Sequence, residues 1–106
     1  MQIKVEHNPA ENNFVCQLGD VHAVLAYSRK ANALSLERLF VPEQEDKEEI
    51  TTALVGTAAR YCQNHNLQMI AVESYLRDDF FPAHTEFQSL LKQDPGPGAG
   101  AEFLRL

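Results

Sequence analysis

At 106 residues and 44% apolar content, the chain has the size and composition of one domain, enough to bury roughly two thirds of its unfolded surface around a single core. Nine basic against fifteen acidic residues leave a net charge of -6, and only Arg29 and Lys30 adjoin among the cations, which excludes the basic patch of a nucleic-acid binder. The opening MQIKVEHNPAENN lacks the build of a signal peptide and no apolar run is long enough to span a bilayer, so a soluble, cytoplasmic protein is expected.

IKVEH at 3–7 alternates, with Ile3 and Val5 on one face, and FVCQL at 14–18 resumes the strand pattern after the turn NPAENN, which predicts a first hairpin. Gly19 and Asp20 have the chemistry of a two-residue hairpin loop leading into HAVLAYS at 22–28. RKAN at 29–32 closes a second hairpin onto ALSLERLFV at 33–41. In that fourth strand the alternation of Leu34 and Leu36 shifts to Leu39 and Val41, which predicts a bulge or bend in its middle.

Pro42 stops the strand, and Asp46 followed by Glu49 has capping-box spacing, predicting a helix from about Lys47 to Asn64–Asn66. Ile50, Leu54, Ala58, Tyr61 and Cys62 form its inward face, while Thr51, Thr52, Arg60 and Gln63 fall mostly elsewhere. LQMIAVES at 67–74 suits a buried strand parallel to the fourth. YLRDDFF at 75–81 reads as a short helix stopped by Pro82, and Thr85 with Gln88 repeats the capping pattern before a second short helix. The fold class is therefore α+β: a mixed sheet of four antiparallel strands plus a fifth parallel to the fourth, a core helix and two short C-terminal helices over residues 1–92. Residues 93–106, rich in Pro and Gly, are expected to form a flexible tail.

The turn between the fourth strand and the helix holds Glu43, Glu45, Asp46, Glu48 and Glu49 against one Lys47. Helix N-termini favour anions, and acids in a first turn complement the dipole. A bound phosphate is another matter: a carboxylate about 5 Å away at an effective dielectric near 20 costs roughly 3 kcal/mol per unit pair before screening.

VEH at 5–7 with Phe14, AVLAY at 23–27, LFVPE leading into ITTALVGTAARY at 39–61, and YLRDDFFPAHTEF at 75–87 together resemble the GNAT N-acetyltransferase superfamily, in its small single-domain subgroup. The resemblance implies a GNAT-like fold and an acetyl-CoA pyrophosphate held by the turn after the fourth strand. In the family that turn carries Arg or Gln, then Gly, then Gly or Ala; the matching positions here are Asp46, Glu49 and Thr51, with Leu39 and Val41 on the adjoining strand. All three loop positions depart from the pattern. If Asp46 caps the helix and Glu49 reaches back to it, the amides that a pyrophosphate would use are already occupied.

The subgroup's Cys-Pro-Tyr matches Glu73, Ser74 and Tyr75, of which only the tyrosine remains. The resemblance makes Tyr75 the candidate acid for a leaving thiolate, beside its plain use as a packing aromatic. Glu73, at the end of a buried strand, is the candidate for a carboxylate with a pKa raised by desolvation. Glu37, an outward strand residue, reads as solvent-facing.

Cys16 and Cys62 are too few and too far apart for a disulfide framework or a zinc site and read as buried hydrophobes, and His7, His22, His65 and His84 have no ligand spacing, so no metal is expected. Three functions stay open. The favoured one is an inactive or repurposed GNAT-like module that binds no cofactor and engages a protein partner or forms a homodimer. The others are an active acetyl-CoA-dependent N-acetyltransferase and a binder of a different small ligand in the same cleft.

Overall fold

A computed structural model describes residues 3–91; the tail expected at 93–106 lies outside them. One five-stranded sheet runs in the order β1 (Val5–Asn8), β2 (Asn13–Leu18), β3 (Val21–Arg29), β4 (Ala33–Phe40) and β5 (Gln68–Ala71). The first four strands pair antiparallel with their chain neighbours and β5 pairs parallel with β4. The last pairing requires a crossover, which α1 (Lys47–Asn64) supplies.

Local chemistry explains the turns. Gly19 has φ +69° at the first position of the two-residue loop joining Leu18 to Val21, a backbone state that glycine adopts without strain and that matches strand twist. The NPAENN turn is tighter than the sequence suggests, with a 3₁₀ turn at Pro9–Glu11 closed by Asn12 at φ 56°.

The predicted irregularity in β4 is a bulge. Ala26 faces Arg38 and Tyr27 faces Leu36, so Glu37 has no partner on β3. The extra residue reverses which parity points inward, and so Leu34 and Leu36 are buried with the core while Leu39 takes the inward side beyond it. The core lies between this sheet face and α1, built from Phe14, Cys16, Leu25, Leu36, Ile50 and Leu54 among others. Both cysteines are buried and free, and burial pushes the Cys62 thiol up to about 11, so neither serves as a nucleophile at neutral pH.

Three expectations need correction. Thr51 is fully buried, because the inward face of α1 is two residues wide, pairing Ile50 with Thr51, Leu54 with Val55 and Ala58 with Ala59. Pro82 does not end the helical run: a π turn at Leu76–Phe80 passes into α2 (Phe81–Ala83), followed by a 3₁₀ segment at Thr85–Leu90. The Phe81 amide reaches back to the Leu76 carbonyl, and this wide turn carries Pro82 into the first turn of α2, where no amide is needed. The Thr85 cap is not made, since His84 stands at the cap position without a side-chain bond. Among the described residues no helix is long and apolar enough to cross a membrane.

Candidate functional site

Pairing of β4 with β5 stops at Leu36 and Ala71. The amides of Val72 and Glu73 then both donate to the Leu36 carbonyl, at 3.1 and 3.0 Å, while β4 passes through its bulge at Glu37. The two strands thus part after Leu36 and Ala71. An open groove of about 540 Å3 at this parting, on the side of the sheet turned from α1, is lined by Ala26, Glu37, Arg38, Leu39, Phe40 and Glu73.

The start of α1 is closed by its own side chain. Asp46 Oδ1 accepts from the Glu49 amide at 3.0 Å, removing one of the free donors that an anion would use. The reciprocal half of the capping box is not made among the described residues: Glu49 is exposed and its carboxylate forms no bond to the Asp46 amide. The preceding turn is closed by the Glu45 amide donating to the Pro42 carbonyl at 3.0 Å. Thr51, the third loop position, has its hydroxyl fully buried and without a hydrogen-bond partner.

Tyr75 lies against this helix start, with Lys47 Nζ 4.1 Å from the centroid of its ring, a cation–π contact. Burial, then Glu48, Asp79, Asp46 and Glu73 in falling order, hold its phenol above the ordinary value. The group therefore keeps its proton at neutral pH. Glu73 is partly exposed, and its Oε1 accepts from the Leu76 amide at 2.9 Å, capping the following turn. Glu37 is exposed as expected, and its carboxylate accepts from the Ser28 hydroxyl at 2.8 Å; that bond first, and one from Ser35 second, hold it below the usual carboxylate range.

The structure thus brings Tyr75 to the acidic helix start and Glu73 to the groove, with Leu39 and Val41 partly buried against the core. Two partners escaped sequence reasoning. His84 Nε2 lies 3.2 Å from Glu48, and its Nδ1 bonds the Phe80 carbonyl at 2.8 Å, so the C-terminal turns are latched onto α1. Phe40 stands 59% exposed at the groove; its parity relative to the predicted bulge was the available signal. Among the described residues no group of three or more His, Cys, Asp or Glu side chains is placed to hold a metal ion. No protein-family model matches the chain, and no curated protein matches it.

Proposed function

We propose that this chain is a GNAT-like domain whose cofactor loop has been given over to capping its own helix, and that it works as a binding module rather than an acetyltransferase. The sheet order and the parting of β4 and β5 after Leu36 and Ala71 support the family reading. The observation that carries the loss of acetyl-CoA binding is the Asp46 carboxylate on the Glu49 amide, at the place where the family seats a pyrophosphate. Around it stand Glu43, Glu45, Glu48 and Glu49, each of which repels a phosphate.

Calorimetric titration of acetyl-CoA and free CoA tests this. The native protein is expected to show no binding at micromolar ligand, and the Asp46→Arg, Glu49→Gly double variant to recover it. Micromolar binding by the native protein would overturn the proposal.

One observation favours the alternative of a working acetyltransferase. Tyr75 sits at the helix start, and its phenol, which carries its proton at neutral pH, is a group able to donate a proton to a leaving thiolate. Acetyl transfer to an amine panel that Tyr75→Phe abolishes would establish that activity.

A further inference from the structure

Phe40, the last residue of β4, is exposed on the side of the strand turned away from the core. Phe40 pairs with Val24 across β3 and β4, and an open groove lies on either side of it. The first, of about 540 Å3, has Val24 and Ala26 as an apolar floor and Glu37 and Glu73 among its walls. The second, of about 510 Å3, lies past the end of the strands over Val21, Val41 and Pro42, of which Val21 and Val41 also pack against the core, with Asp20 and Glu43 at its margin. Four carboxylates therefore line the two grooves that meet at one exposed ring, with the Arg38 guanidinium and the His22 imidazole beside them. Glu37 and Glu73 are fixed by the Ser28 hydroxyl and the Leu76 amide, and a carboxylate so held still has lone pairs to offer.

An aromatic centre with a charged margin is the usual anatomy of a docking surface, and its sign selects the partner. We infer that this surface around Phe40 binds an extended segment of a partner protein with a short apolar centre flanked by lysine or arginine on both sides. The apolar centre covers Phe40 and Val24, and the cations reach Glu37 and Glu73 on one side and Asp20 and Glu43 on the other. Desolvation of the ring adds cation–π attraction to the charge pairing, and the net charge of -6 speeds encounter with a basic segment. The inference rests on the binding-module reading above and names the partner chemistry.

The test is fluorescence anisotropy with a labelled seven-residue peptide of three aliphatic residues between pairs of lysines, and the same peptide with glutamates in place of lysines. The lysine peptide is expected to bind the native protein at least about tenfold tighter than the glutamate peptide. Phe40→Ala, at an exposed position, is expected to leave the melting temperature nearly unchanged and weaken binding about tenfold. Glu37→Gln with Glu73→Gln is expected to weaken it several-fold and flatten its salt dependence. Unchanged affinity in Phe40→Ala overturns the inference, because general charge attraction would then account for the binding. A dimer in sedimentation that Phe40→Ala converts to monomer also overturns it, assigning the surface to a second copy. Acetyl-CoA binding with the peptide result intact overturns only the binding-module reading; loss of the peptide result without acetyl-CoA binding overturns only this inference.

Discussion

The Thr51 hydroxyl is the least satisfied group of the helix start. It is wholly buried in the first turns of α1 and has no hydrogen-bond partner, a situation that costs about 1–3 kcal/mol for a neutral polar group. Valine has nearly the same shape, the same branching at Cβ and a similar helix propensity. Thr51→Val is therefore expected to stabilise the fold by about 1 kcal/mol, raising Tm by roughly 4–8 °C in a domain of this size. Thermal denaturation followed by circular dichroism checks it. The residue was misplaced by sequence reasoning for a definite reason. A stripe drawn through Ile50, Leu54 and Ala58 is one residue wide, whereas Val55 and Ala59, one and two turns after Thr51, show a wider stripe that includes it.

At the scale of elements, the α1 cap is where local chemistry and the proposed function meet. Asp46 contributes through its bond to the Glu49 amide, and replacing such a cap by alanine typically costs about 1 kcal/mol. Asp46→Ala is expected to lower Tm by roughly 4–8 °C, while Asp46→Asn, which caps equally well and removes one like charge from the turn, is expected to stay near the native value; parallel melting curves decide. This cap was legible because an N-cap is a short-range pattern, as were the Gly19 turn and the β4 bulge, each written in a few adjacent residues. The C-terminal turns were less so. The i−5 bond that carries the chain past Pro82 has no sequence signature of its own, and the Glu48–His84 contact joins residues far apart in the chain. The candidate site was legible to the same degree: strand ends and helix start came from local patterns, but the approach of Lys47 to Tyr75 depends on how the packed elements meet.

At the scale of the molecule, one cluster ties the edge strand to the far end of the helix. His7 on β1 stacks on Phe14 of β2 with centroids 4.3 Å apart, meets Tyr61 of α1 edge-on at 4.6 Å, and shares a 2.6 Å hydrogen bond with the Tyr27 hydroxyl on β3. Three strands and α1 thus depend on one imidazole. Burial, and secondarily His65, lower its pKa from the ordinary 6.5; the neutral ring is the form the native packing accepts. The direction for stability follows from proton linkage. Between the lowered folded pKa and 6.5 the unfolded chain binds more protons than the native one, so stability rises with pH there and levels off above 6.5. As pH falls through the folded pKa, that contribution is lost. Urea denaturation at pH 7.5 and at pH 5.0 is expected to show a lower midpoint at the acidic value. His7→Gln is expected to reduce this difference, because the amide keeps a hydrogen-bonding group near Tyr27 and cannot take up the proton. The comparison separates His7 from the other three histidines, which both proteins retain, and an unchanged difference in His7→Gln would place the titration elsewhere.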